Sequence, residues 1–178
     1  VRPSRLVRAG ASTGIVTSGN RRSGTRISAC AAGVTSMSEE SVHLYFGLGC
    51  RNVTKLYVPA GYNFIPMLDA FNRYRYLREL HRYANNFDYQ LSIILLNKQY
   101  YMSNDTILLV EAESIHSPIG VLYYEYYSDA TALREKLNQT DGIQCIVGEG
   151  YTPFGKAQQP ALADYADGVD TLAFLQTI

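Results

Sequence analysis

Ile119-Gly120-Val121-Leu122-Tyr123-Tyr124-Glu125-Tyr126-Tyr127, then Ser128-Asp129-Ala130-Thr131-Ala132-Leu133-Arg134-Glu135-Lys136-Leu137-Asn138, then Gly142-Ile143-Gln144-Cys145-Ile146-Val147, is the stretch that decides the fold. Its first run is rich in aromatic and β-branched residues, which suit a pleated, half-buried surface. Ser128-Asp129 offers an N-cap, Ala130, Leu133 and Leu137 share one helical face, and Gly142 closes the helix. The third run is again strand-like. Strand, helix, strand at this spacing predicts a βαβ unit, with a parallel pair joined by a right-handed crossover. The expected fold class is α/β: a mostly parallel sheet with helices on both faces.

Working outward, Thr106–Val110 reads as a further strand, and Tyr100-Tyr101-Met102 extends its pairing. Leu91-Ser92-Ile93-Ile94-Leu95-Leu96 reads as a buried strand, preceded by turn chemistry at Asn85-Asn86-Phe87-Asp88. Phe64 to Ala84 is the longest predicted helix, with Phe64, Met67, Leu68, Phe71, Tyr74, Leu77 and Leu80 at helical spacing. Arg73, Arg75, Arg78 and Arg82 fall late in it, as the helix dipole favours. They form either a solvated face or a surface for a phosphate-bearing ligand. Thr54–Val58 is a short strand stopped by Pro59. Residues 38–46 read as a helix capped by Ser38 and broken by Gly47 and Gly49. After Tyr151 the chain is loop-rich until a short element at Asp170–Leu175.

With 178 residues and 47% hydrophobic content, one domain with a sizeable core is expected. A net charge of 0 gives no reason to expect nucleic acid or an anionic membrane as partner. No apolar run approaches the ~20 residues of a membrane span. Cys30, Cys50 and Cys145 are odd in number, with no CxxC and no spaced histidine. That argues against a disulfide framework and a zinc site, and it fits a reducing, cytoplasmic setting. Residues 1–36 stand apart: Arg2, Arg5, Arg8, Arg21, Arg22 and Arg26, no acid, and no sustained period. Such a segment buries too little to offset its ordering entropy. A transit peptide, a nucleic-acid arm and a segment foreign to the domain all compete here. Residues 1–36 are expected to be disordered or non-native, and 37–178 to be the folded, thiol-bearing domain.

Cys50 follows Leu44-Tyr45-Phe46-Gly47-Leu48-Gly49 and precedes Arg51-Asn52-Val53. Two glycines beside a cysteine let a ligand approach the backbone closely. Free cysteine is also a common buried residue, so nucleophile and buried thiol both remain open. Cys145, inside an apolar run, needs only its small size. Gly47-Leu48-Gly49 mimics part of a dinucleotide fingerprint but lacks the third glycine and the preceding strand. His43 could reach Cys50 only if the chain folds back. His81 reads as a surface residue, and Glu125 as solvent-facing by alternation.

Several segments in order resemble the LuxC-type acyl-CoA reductases, the fatty-acid reductase branch of the aldehyde dehydrogenase superfamily. They are Tyr45-Phe46-Gly47-Leu48-Gly49-Cys50-Arg51-Asn52-Val53, Tyr83-Ala84-Asn85-Asn86-Phe87-Asp88-Tyr89, Ser117-Pro118-Ile119-Gly120-Val121-Leu122 and Phe154-Gly155-Lys156-Ala157-Gln158-Gln159-Pro160, with Asp164 to Asp170 beyond. The resemblance covers about residues 42–178 and implies an aldehyde dehydrogenase-like catalytic domain. It implies Cys50 as nucleophile toward an acyl-CoA substrate, with an acyl-cysteine thioester reduced to aldehyde by NADPH. Gly49, Cys50, Arg51 and Asn52 would form the oxyanion and site loop, and Glu113, His116 and Phe154 the remaining cofactor contacts. The family's cofactor glutamate aligns with Ser114, one residue from Glu113, and most of the nucleotide-binding domain has no counterpart here. The chain is therefore expected to be a C-terminal catalytic portion that binds NADPH poorly alone, and to form homo-oligomers as the superfamily does. Two other readings stand beside it: a non-catalytic truncated domain acting by association, and a cysteine-dependent thioester hydrolase with His116 or His43 as base.

Overall fold

The computed structural model describes residues 14–16, 42–49, 51–140, 142–148, 150–165 and 169–178. In chain order the elements are β1 (Gly14–Val16), β2 (Lys55–Pro59), α1 (Ile65–Phe71), α2 (His81–Leu96), β3 (Tyr101–Ser103), β4 (Leu108–Glu111), β5 (Val121–Tyr127), α3 (Ala130–Gln139), β6 (Ile146–Gly148) and α4 (Thr171–Leu175). The strands form one sheet in the order β3-β4-β5-β2-β1-β6. This is a mixed sheet with helices. β2/β5 and β4/β5 pair parallel, while β3/β4, β1/β2 and β1/β6 pair antiparallel.

The expectation of a mostly parallel sheet is corrected by those three antiparallel pairs. The βαβ reading is corrected too. β5, α3 and β6 follow one another as expected, but β6 pairs with β1, and β2 and β1 separate it from β5. β1 supplies the reversal. The sequence reading places no element before residue 38, yet Gly14–Val16 pair with both β2 and β6.

Alternation along the strands sends side chains to two faces. Leu109, Leu122 and Tyr124 pack with Phe64, Met67 and Phe71 of the α1 region. Leu108, Val110 and Val121 pack with Phe87 and Ile94 of α2. Helices therefore lie on both faces, as expected. Tyr57 and Glu125 are register partners on the α2 side, where Lys136 of α3 reaches both.

The helices differ most from their predicted limits. α1 begins with Pro66 in its first turn, a place where a missing N–H costs nothing. It tightens into a 3-10 helix over Asn72–Glu79. Phe71, Tyr74 and Leu77 are buried at intervals of three, which matches three residues per turn. Leu80 is extended and ends the run. The predicted turn at 85–88 and strand at 91–96 are instead one helix, α2. Tyr83, Phe87, Leu91 and Ile94 line its buried side at helical spacing. Asn86 and Ser92 donate to the carbonyls of Arg82 and Asp88, so their side chains turn inward on the helix instead of breaking it.

At α3 the Asp129 carboxylate accepts from the Thr131 N–H at 2.9 Å, as the sequence leads one to expect. Asp129→Ala is expected to lower stability by about 1 kcal/mol in urea unfolding, with the denaturant slope unchanged.

Candidate functional site

The segment before Cys50 is a strained turn. Tyr45, Phe46 and Gly47 have φ of 53°, 58° and 76°. For Tyr and Phe the left-handed region costs roughly 1–2 kcal/mol each. Their side chains are largely exposed, so packing does little to offset that cost. Hydrogen bonds hold the turn. Asn52, fully buried, donates its side-chain amide to the carbonyls of Val42 at 3.1 Å and Leu44 at 2.6 Å. Its backbone N–H donates to the Gly49 carbonyl at 3.0 Å. A Cβ on Gly49 would collide with the Asn52 Oδ1 and lie 2.8 Å from the Tyr45 ring, so only glycine fits. Cys50, the predicted nucleophile, falls between these residues in sequence and lies outside the described residues, as do Cys30 and the Ser38 cap.

Arg51 extends the turn toward the C-terminal loop. Its guanidinium donates to the Ala157 carbonyl at 3.2 Å and stands 3.9 Å from Asp164, while Gln158 donates to the Arg51 carbonyl at 3.0 Å. Thr54 and Lys55 extend it the other way. The Thr54 hydroxyl donates to the Ile115 carbonyl at 2.7 Å, and the Lys55 ammonium to the Glu113 carbonyl at 2.7 Å. A small cavity of about 20 Å³ between Phe46, Gly47, Tyr83, Ser117, Pro118 and Gly120 joins three segments. Gly120 has a φ of +77°, and a Cβ there would approach the Phe87 backbone at 3.4 Å. Residues of 44–55, 83–87, 113–120 and 154–158 thus converge around the strand start that follows Cys50.

A second cavity, about 410 Å³, opens beside Arg51. Asn138, Gln144, Cys145, Tyr151, Thr152 and Asp164 share its walls. Cys145 is buried, as its apolar run implies, and its thiol donates to the Thr152 hydroxyl at 3.3 Å.

Glu113 and His116 are exposed, and only the backbone of Glu113 joins the network. The His116 N–H donates to the Ser114 hydroxyl at 3.2 Å. Phe154 packs half-buried against the main core. Neither described cavity is lined by any of these three. His43 is buried, stacked on Tyr74 at 4.3 Å and edge-on to Phe71 at 5.1 Å, a core position. His81 is exposed, as expected. Arg73 and Arg75 are exposed, whereas Arg78 lies over the Phe87 ring and pairs with Asp88 at 2.9 Å.

The sequence reading missed Lys55. Its side chain is 0% exposed and pairs with Glu125, which in turn pairs with Lys136. Glu125 is therefore not the solvent-facing residue that alternation suggested: it stands between two ammonium groups on the α3-covered face. Burial pushes the Lys55 ammonium below its ordinary value, only partly countered by Glu125. Burial pushes the Glu125 carboxyl up, but Lys136 and Lys55 together hold it below its ordinary value. The signal was two charged residues, each inside a β-prone run, at positions that parallel pairing brings together.

Among the described residues no group of His, Cys, Asp or Glu is placed to hold a metal ion, and no helix is long and apolar enough to cross a membrane. No family model, curated protein or solved structure matches the chain.

Proposed function

We propose that this chain carries the acyl-accepting thiol of a LuxC-type acyl-CoA reductase, with Cys50 as nucleophile. The observation that supports this most is the convergence of four motif segments, with contacts spanning as many as 107 residues, around Arg51–Lys55. The strained turn before Cys50 adds to it, because strained backbone that its own side chains do not hold in place clusters at functional sites.

In this reading the Cys50 thiolate attacks the thioester carbonyl carbon. A new S–C bond forms and the C–S bond to coenzyme A breaks. Coenzyme A leaves as a thiolate and takes a proton from solvent. Backbone N–H groups beside the attacking sulfur suit the developing oxyanion. NADPH would supply the hydride for reduction to the aldehyde. Glu113, His116 and Phe154 line neither described cavity, and the reading assigns the chain the acyl-transfer half of the reaction.

Incubation with a fatty acyl-CoA is expected to add one acyl mass to the intact protein, with the addition lost in Cys50→Ala. Added NADPH is expected to yield little steady-state aldehyde. An adduct that hydrolyses unaided would turn the reading toward a thioesterase, and no adduct would turn it toward a domain that acts only by association.

A further inference from the structure

Arg51 carries a guanidinium that the fold buries without using up its donors. The side chain is 12% exposed. A guanidinium has five N–H donors. Among the described residues one acceptor meets them within hydrogen-bond range, the Ala157 carbonyl at 3.2 Å. The Asp164 carboxylate stands at 3.9 Å, close enough for an ion pair but too far for a hydrogen bond. That carboxylate is half in water, at 52% exposure, and it already accepts from the Ala161 N–H at 2.9 Å. A long, half-solvated pair contributes little and does not offset the removal of a guanidinium from water.

Arg51 lines the cavity of about 410 Å³, a volume in the range of small-molecule sites. Two other walls also keep donors in hand. The Thr152 hydroxyl accepts from the Cys145 thiol at 3.3 Å and retains its own O–H. The Asn138 Oδ1 accepts from the Tyr151 hydroxyl at 3.4 Å, which leaves the NH₂ end of that amide to the cavity. Acceptors on the same side are partly spent. Thr140 donates its hydroxyl to the Lys136 carbonyl and its N–H to the Leu137 carbonyl, at the end of α3. Asp164 is the one carboxylate among the described wall residues.

We propose that this cavity is a binding site for the carboxylate or phosphate end of a small polar molecule, seated on the Arg51 guanidinium, with Asn138 and Thr152 as further donors. A planar guanidinium meets two oxygens of either group at once, which a lysine ammonium does not reproduce. The Asp164 carboxylate competes with the ligand for Arg51 and repels it, so it holds the affinity down. The proposal stands apart from the acyl-transfer reading, since no thiol takes part in it and its test measures binding alone.

The full chain is titrated with sodium phosphate and with sodium acetate at constant ionic strength, with sodium chloride as the control. Heteronuclear NMR follows the side-chain amides of Asn138 and Gln144, both in the cavity wall. Saturable shifts of these amides are expected with at least one of the two anions, and the one that binds more tightly distinguishes a phosphate from a carboxylate ligand. Arg51→Lys keeps the charge and loses the fork, so it is expected to weaken binding at least about tenfold. Asp164→Asn keeps an acceptor for the Ala161 N–H and is expected to tighten binding several-fold. Urea unfolding checks that each variant is folded; if Arg51→Lys does not fold, the native chain and Asp164→Asn still decide. Shifts that chloride reproduces or that do not saturate overturn the proposal. So does unchanged affinity in folded Arg51→Lys, or weaker binding in Asp164→Asn.

Discussion

Replacing Glu125 with alanine is expected to destabilise the fold by about 3–5 kcal/mol, while Lys55→Met costs less than about 1 kcal/mol or stabilises. The asymmetry follows from burial. Glu125 is the carboxylate partner of a lysine that is 0% exposed, and its loss leaves an ammonium group in the sheet with the Glu113 carbonyl as its remaining named partner. Loss of Lys55 leaves Glu125 its second cation, Lys136, whose side chain is 52% exposed. Methionine also fills the lysine stem's volume between Tyr57 and its neighbours. The pH dependence carries the same signature. The folded Glu125 carboxyl lies below its ordinary 4.5, so its contribution is present above 4.5 and is lost as pH falls through the folded value. The folded Lys55 ammonium lies below its ordinary 10.5, so between its folded value and 10.5 the unfolded chain holds more protons and stability rises with pH. In Glu125→Ala the acid-side loss from this group should vanish, and the alkaline rise should begin at lower pH. Urea unfolding from pH 2 to 10 measures both. Equal costs for the two substitutions at neutral pH would show that the pair is not what holds Lys55 inside.

The parts of the fold legible in the sequence are those fixed by local chemistry. Asp129 and Asp170 accept N–H bonds at the starts of α3 and α4, and each helix follows where the cap places it. β2, β4 and β5 lie within the predicted runs to within a residue or two, because pleated alternation is local too. What failed was set at long range. Asn85-Asn86-Phe87-Asp88 carries turn propensity, but Tyr83 and Phe87 gain more by burial against the sheet than the asparagines lose in a helix. Leu91–Leu96 is too short and too uniformly apolar for period alone to separate strand from helix. The sheet order depended on Gly14-Ile15-Val16, three residues whose partners lie at 55–56 and 146–148, with no local signal for that pairing. The site divides the same way. Gly47 and Gly49 were marked from sequence as breaks and Asn52 was named through the resemblance, while the left-handed turn that they flank carried no signal in the sequence. Glu113, His116 and Phe154 were named through the resemblance; Glu113 and His116 are exposed, Phe154 is half-buried, and none of them lines either described cavity.

Phe71→Ala is expected to cost about 3–5 kcal/mol and to loosen the candidate site as well as the core. Phe71 is 1% exposed at the junction of α1 and the 3-10 helix. Its ring stands 5.1 Å from His43, and His43 lies flat on Tyr74 at 4.3 Å. Removing Phe71 therefore opens a cavity beneath the residue that leads into the strained turn, one position before Leu44, whose carbonyl Asn52 grips. Ile94→Ala is the fitting comparison. It removes a residue 5% exposed from the cluster on the opposite face, at an expected cost of about 2–5 kcal/mol. In native conditions, and after correction for the unfolded fraction, Phe71→Ala should change Cys50 alkylation several-fold while Ile94→Ala leaves it unchanged. Matching alkylation rates in the two variants would mean that the aromatic stack supports the core without reaching the turn. A difference confined to Phe71→Ala would tie the turn's geometry to one face of the sheet, through His43 at one end and Asn52 at the other.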